Sequence, residues 1–158
     1  MTFSKPDRRQ MLTGMAALPA LSVATVSLAP LPASATPQEL REAVAAFTKG
    51  RPTEEGRVTL DIPPISENGN SVSLSVSVES PMTEDDHVRQ IAIFAEANPL
   101  PDIVRFTLGP RAGRAEVATR IRLNDSQTLL AVAEMNDGTL WTGTAETVVT
   151  LAACGIIL

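Results

Sequence analysis

The stretch that decides the fold is Ser71-Val72-Ser73-Leu74-Ser75-Val76-Ser77-Val78, in which a serine is followed by an apolar residue four times in succession. Successive side chains of a β-strand point to opposite faces, so this period of two predicts a strand with one buried and one exposed face. A helix would distribute the same apolar residues around its circumference. The segment therefore indicates a β-fold.

Short apolar segments on both sides of this stretch extend the β-pattern along the chain. They are separated by turn-forming residues such as Pro63-Pro64, Asn98-Pro99 and Gly109-Pro110, and Asn136-Asp137-Gly138 is typical of a hairpin turn. The predicted strands are residues 58–62, 72–78, 88–96, 103–108, 113–123, 129–135 and 139–151. About seven short strands with no room for crossover helices predict an all-β, immunoglobulin-like antiparallel β-sandwich over residues 57–151.

A short helix is predicted before the strands, over residues 36–50. Thr36-Pro37-Gln38-Glu39 has the form of a capping box with proline at the first helical position, and Lys49-Gly50 is typical of a helix end. Its apolar residues fall on one face, namely Leu40, Ala43, Val44 and Phe47. A helix this short needs a surface to pack on. The sequence leaves open whether that surface is the domain's own sheet or a partner.

The first 35 residues have the layout of an export signal. Arg8-Arg9 lies in a short basic head, residues 11–26 carry no charge, and Ala33-Ser34-Ala35 is a small-residue cleavage pattern. The arginine pair indicates the twin-arginine type, so we expect cleavage before Thr36 and a periplasmic protein without membrane contact. An uncleaved membrane anchor is the alternative, but prolines interrupt the apolar stretch.

Charge and residue counts exclude several function classes. The chain has 158 residues with a net charge of −5. The signal contains Lys5, Arg8, Arg9 and Asp7, so the remaining residues hold 10 basic and 17 acidic side chains, a net charge of −7. This balance argues against nucleic-acid binding. One cysteine, one histidine and no glycine-rich phosphate loop argue against an internal disulfide, a cofactor or an enzyme's own active site.

One acidic cluster, Glu84-Asp85-Asp86-His87, contains residue types that bind metals. Four adjacent residues do not all converge on one ion, and the sequence offers no second set of ligands. The favoured interpretation is a turn capped by Thr83, so we expect no metal site.

Cys154 is the candidate functional residue because it follows the last predicted strand, five residues from the C-terminal Leu158 in an inclusive count. A lone cysteine in an exported protein indicates an intermolecular disulfide or a free reactive thiol. A buried and inert cysteine is the structural alternative. Position and residue type leave these three possibilities open.

Several segments together resemble SoxY, the sulfur-carrier subunit of the bacterial thiosulfate-oxidation system. The resemblance spans about residues 57–149. The segments are Ser80-Pro81-Met82-Thr83, Ile93-Phe94-Ala95-Glu96 with Asn98-Pro99, Thr119-Arg120-Ile121-Arg122-Leu123, and Ala131-Val132-Ala133-Glu134-Met135 with Asp137-Gly138.

The resemblance implies a carrier rather than an enzyme. Members of the family have an immunoglobulin-like sandwich, pair with a second sandwich protein, SoxZ, and meet the Sox cytochrome and hydrolase transiently. Sulfur intermediates are attached covalently to a cysteine on their C-terminal arm. By position, Cys154 matches that cysteine, and Gly155 matches a glycine that gives the arm flexibility.

The tail, residues 152–158, departs from the family pattern. SoxY tails end in Gly-Gly-Cys-Gly-Gly, whereas this chain has Ala152-Ala153-Cys154-Gly155-Ile156 and continues with Ile157-Leu158. Three functions remain open. The protein is a sulfur carrier, a SoxY-like binding or assembly protein that has lost carrier activity, or a chain linked to another through an intermolecular disulfide.

Overall fold

A computed structural model describes residues 36–153, which comprise one helix, nine strands and a 3-10 helix, Pro110–Ala112. The predicted export signal and Cys154 lie outside the described residues. The elements are α1 (Pro37–Thr48), β1 (Glu54–Glu55), β2 (Val58–Asp61), β3 (Ile65–Ser66), β4 (Val72–Val78), β5 (Val88–Ala95), β6 (Asp102–Thr107), β7 (Glu116–Ile121), β8 (Gln127–Met135) and β9 (Leu140–Val149).

The strands form two sheets, which confirms the predicted β-sandwich preceded by a short helix. The large sheet has the order β1-β9-β8-β5-β6, and β3 also pairs with β9. The small sheet has the order β2-β4-β7. The seven longer strands correspond to the seven predicted ones and pair antiparallel within their sheets. Strands β1 and β3 were not predicted, and both pair parallel to β9, at opposite ends of it.

The chain changes sheets between β1 and β3, where β2 passes close to β9 at Gly143. A Cβ on Gly143 would lie 3.2 Å from the Cβ of Val58 and well inside contact distance of the Val58 carbonyl oxygen. Only glycine fits such a close approach of two backbones. Because β1 and β3 have two residues each, they carry no periodic pattern from which they could have been predicted.

The core lies between the sheets and is built on the period of two in β4. Its four apolar residues are buried, and its serines point away from the core. The apolar residues of β4 face fully buried residues of the large sheet, among them Ile91, Ile93 and Leu129. The strand that decides the fold therefore supplies the inner face of the small sheet.

Helix α1 packs on the outer face of the large sheet, which settles its docking in favour of the domain itself. Phe47, 5% exposed, meets Phe94 of β5 edge-on with ring centroids 6.1 Å apart. The predicted capping box is present. The Glu39 N–H donates to the Thr36 hydroxyl at 3.2 Å, and the Thr36 N–H donates to the Glu39 carboxylate at 2.6 Å. Within residues 36–153, no helix is long and apolar enough to cross a bilayer.

Arg51 joins the end of the helix to the β8–β9 hairpin. Its guanidinium donates to the Thr48 carbonyl at 2.9 Å, the Gly138 carbonyl at 2.8 Å and the Glu134 carboxylate at 2.8 Å. These three bonds fix both the helix end and the turn predicted at Asn136-Asp137-Gly138, in which Gly138 has a φ of +88°.

We expect Phe47→Ala to lower the free energy of unfolding by about 3 kcal/mol, because the substitution removes a buried ring and leaves a cavity. Glu42→Ala, on an exposed position of the same helix, is the control and should change stability by less than about 0.5 kcal/mol. Urea denaturation of both variants measures the difference. If both variants changed the free energy of unfolding equally, packing of the helix would not depend on the contact between Phe47 and the sheet.

The capping box predicts a pH dependence. Hydrogen bonds from the Thr36 N–H and hydroxyl hold the pKa of Glu39 below its ordinary value of 4.5. The stability contributed by this bond is therefore present above pH 4.5 and is lost as the pH falls through the lower, folded-state pKa. The Glu39 side-chain carboxyl carbon, followed by NMR, should titrate with a midpoint below 4.5, and Glu39→Gln should remove this titrating signal. A midpoint at or above 4.5 would contradict the assignment.

Candidate functional site

The residues that lead to Cys154 are described, although Cys154 is not. Strand β9 ends at Val149, and the chain continues through Thr150, Leu151, Ala152 and Ala153. We call residues 150–153 the tail root. Its geometry defines the point from which the C-terminal residues start.

Backbone hydrogen bonds hold the tail root to both sheets. The Thr150 N–H donates to the carbonyl of Ser66, in β3 of the large sheet, at 3.0 Å. The Ala153 N–H donates at 3.0 Å to the carbonyl of Leu123, which follows β7 of the small sheet. The tail root therefore closes one end of the sandwich, and the residue before Cys154 is a fixed part of the domain.

Gly69 lies between the two attachments. Its N–H donates to the Leu151 carbonyl at 2.7 Å, and its carbonyl accepts from the Leu123 N–H at 2.9 Å. A Cβ at this position would stand 3.0 Å from the Ala153 nitrogen and well inside contact distance of the Leu123 carbonyl oxygen. The tail root can therefore approach Leu123 only because residue 69 has no side chain.

A buried amide pair holds the turn that carries Leu123. Asn98 and Gln127 are 7% and 6% exposed. The Asn98 side chain donates to the Arg122 carbonyl at 2.8 Å and accepts from the Asn124 N–H at 2.9 Å and from Gln127 Nε2 at 3.1 Å. Because these bonds bracket Leu123, they set the position of the carbonyl that binds Ala153. Buried amides that are satisfied in this way rigidify their surroundings.

The tail root is a rigid base for the residues that follow it. The C-terminal residues beyond Ala153 start from a backbone that is bonded on both sides, and Leu151 beside it is 61% exposed. Cys154 follows Ala153 directly, so its thiol belongs to the first residue beyond this base. Nucleophilic exchange at sulfur is the chemistry that such a group supports.

The acidic cluster at Glu84–His87 forms a turn. The Thr83 hydroxyl accepts from the Asp86 N–H at 3.1 Å, as the capping interpretation predicts. His87 Nδ1 lies 3.0 Å from the Thr83 carbonyl oxygen, so this ring nitrogen is engaged with the backbone. Within the described part of the chain, no group of three or more histidine, cysteine, aspartate or glutamate side chains is arranged to hold a metal ion.

The sequence did not reveal Gly69, Asn98 and Gln127 as parts of the site. Nothing in the sequence around Gly69 points to the tail, and Asn98-Pro99 by itself indicates only a turn. Their roles depend on contacts with residues far away in the chain, which local patterns do not encode. The one available signal was the presence of Asn98-Pro99 among the segments that carry the family resemblance.

The fold and the anchored tail root define a β-sandwich protein, and the comparisons assign its family. A family model described as sulfur oxidation protein SoxY matches residues 44–154. The chain belongs to the SoxY family. The sulfur carrier protein SoxY from Chlorobium limicola f thiosulfatophilum has a solved structure with 30% identity and a TM-score of 0.61, covering 72% of this chain and 98% of that one.

Superoxide reductases share the sandwich fold. Superoxide reductase (neelaredoxin) from Ignicoccus hospitalis is 20% identical with a TM-score of 0.53, and the match covers 74% of this chain and 95% of that one. A putative superoxide reductase from Thermotoga maritima is 23% identical with a TM-score of 0.51, covering 65% and 89%. These likenesses show the fold alone. No curated protein sequence matches the chain significantly.

We expect Gly69→Ala to displace the tail root, because the new methyl group must push away the Leu123 carbonyl or the Ala153 amide. The free energy of unfolding should fall by about 1–3 kcal/mol, and the Ala153 amide should exchange with solvent faster. Hydrogen exchange followed by NMR measures the second effect.

Gly109→Ala is the matched control, since a Cβ there meets no atom within 4 Å among the described residues and the backbone φ is −155°. It should leave the exchange of Ala153 unchanged. Unchanged exchange in both variants would mean that the tail root does not depend on the close approach at Gly69.

Proposed function

We propose that this protein is an exported sulfur carrier that holds thiosulfate-derived intermediates covalently on Cys154 while other proteins of the Sox system process them. The observation that carries the proposal is the family match, which covers most of the domain and runs to residue 154. The tail root supports it, because it fixes the chain up to Ala153 at one end of the sandwich. The protein then serves as a substrate for partner enzymes and needs no cofactor of its own.

The loading step suits a thiol. The Cys154 sulfur and the outer sulfur of thiosulfate form one S–S bond, with release of the thiol proton and two electrons. The oxidising partner, a Sox cytochrome, accepts the electrons. The thiolate is the reacting form, and its ordinary pKa of about 8.5 leaves a fraction available at neutral pH. A hydrolytic partner then acts on the adduct.

Any reach into a partner's pocket must come from beyond Ala153, because the preceding residues are bonded into the sandwich. Cys154 follows Ala153 directly, so its Cα lies only about 3.8 Å beyond that bonded backbone. Gly155 supplies conformational freedom next to the cysteine. We propose that the partner enzymes therefore bind at the end of the sandwich that the tail root closes. Their access to the cysteine then does not depend on a long flexible arm.

The other elements of the proposal follow from the family and from the predicted export signal. The chain pairs with a SoxZ-like sandwich protein, and the pair resides in the periplasm after removal of residues 1–35. Neither nucleic acid nor a membrane is a partner. The net charge of −7 for the remaining residues agrees with the first of these statements.

The altered tail favours a second candidate function. Ala152-Ala153 replace two glycines, and Ile156, Ile157 and Leu158 follow the single Gly155. A passage shaped for glycines would exclude these larger side chains. In that case the protein keeps the sandwich and its partner but acts only as a binding or assembly protein.

The test is the mass of the intact protein. We expect residues 36–158 to gain one thiosulfate-derived group when incubated with thiosulfate and the oxidising Sox partner, and the reductant dithiothreitol should remove it. Cys154→Ser should gain nothing. The same gain in Cys154→Ser would contradict attachment at Cys154.

Co-purification with a SoxZ-like chain separates the two candidate functions. The assembly function predicts no adduct on the unaltered protein, and it predicts that Cys154→Ser still co-purifies with the partner. A chain that ends after Gly155 tests the apolar tail. If it is loaded and the full chain is not, the last three residues block delivery. A dimer that appears only without reductant would instead favour the intermolecular disulfide.

A further inference from the structure

The arginines of the described chain are unevenly distributed. Residues 111–122 hold four arginines and one glutamate, a net charge of +3. The other residues between 36 and 153 hold 6 basic and 16 acidic side chains, a net charge of −10. A protein of negative overall charge therefore carries one basic segment.

The structure places this segment along one edge of the sandwich. Strand β7 is the edge strand of the small sheet. Arg114, Arg120 and Arg122 alternate with the inward residues Ala115, Ile121 and Leu123, so they share the outer face of the sheet. Arg111 precedes them in the 3-10 helix. We call these four residues the arginine row. From Arg114 to Arg122 it spans about 26 Å.

All four arginines are exposed. Arg120 donates to the Ser71 hydroxyl at 3.2 Å, and within residues 36–153 none of the four forms an ion pair. By contrast, Arg51 and Arg105 are paired with Glu134 and Asp102. The charge of the arginine row is therefore available to a binding partner.

The surroundings of the arginine row suit a protein surface. The outer face of the large sheet is covered by α1, whereas in the described chain no helix packs on the outer face of the small sheet. That face carries small side chains, including Ser73, Ser75 and Ala118, which line an open depression beside Arg120, and it also carries the carboxylates of Asp61 and Glu116. A partner could lie flat on it with acidic side chains beside the row.

The arginine row also leads to the tail root. The carbonyl of Arg122 is bonded to Asn98, and the next residue, Leu123, binds Ala153. A protein that docks on the row would thus lie beside Ala153, the residue that precedes Cys154. Complementary charges at such a site raise the association rate and orient the encounter.

We propose that the arginine row is the docking surface for an acidic face of the enzymes that act on the tail. The identity of the partner as an enzyme rests on the proposed carrier function, but the surface itself does not. The bound partner would be oriented by the row, with the opening of its active site towards the tail root.

The test uses poly-L-glutamate as an acidic polypeptide probe, with residues 36–158 as the protein. Binding is measured at 20 mM and 300 mM NaCl. Two double variants reverse charge in the row, Arg111→Glu with Arg114→Glu and Arg120→Glu with Arg122→Glu. The control is Arg41→Glu with Arg89→Glu, which changes net charge equally at exposed positions outside the row. Equal thermal midpoints verify that all variants fold.

The proposal expects binding of the unaltered protein at low salt that weakens at high salt. Each row variant should bind poly-L-glutamate about tenfold more weakly than the unaltered protein. The control variant should bind it less than about threefold more weakly. Absence of binding by the unaltered protein, or equal loss in the row and control variants, would overturn the proposal. Dimers at low salt that the row variants lose would assign the surface to a second copy and would also overturn it. None of these outcomes depends on loading of Cys154.

Discussion

The structure depends on one constraint, the close approach of three backbone segments at the end of the sandwich. Gly69 lies between Leu123 and the tail root and is bonded to both Leu123 and Leu151. Because a side chain at residue 69 would occupy the space of the Leu123 carbonyl, a single glycine lets the last described residues close the two sheets. The path of the chain up to Ala153 follows from this contact.

The buried amides extend the constraint inward. Asn98 and Gln127 hold the turn that carries Leu123, and they do so from a loop after β5 and from the start of β8. The base of the tail is therefore part of the core framework rather than a loose end of the chain. Under the proposed carrier function, the cargo would be attached one residue beyond this base, so that partner enzymes could bind the domain and the cargo together.

The sequence predicted what local patterns encode. The alternating serine and apolar residues of β4, the capping box at Thr36 and the turn at Gly138 are each specified by neighbouring residues, and the structure has all three. Strands β1 and β3 are too short for a pattern. The bonds of Gly69 and Asn98 join residues distant in sequence, so they became visible only once the fold was known. The family resemblance was confirmed, while the role of Cys154 stays a prediction.

The central claim is that Cys154 is presented to solvent by a folded domain, and its reactivity in the native state tests this most directly. The reduced protein, residues 36–158, is mixed with an aromatic disulfide reagent, and the release of the coloured thiol is followed with and without urea. The account predicts a native-state rate within about tenfold of that of a free cysteine in a short peptide. A thiol that reacts only after the domain unfolds would contradict the account.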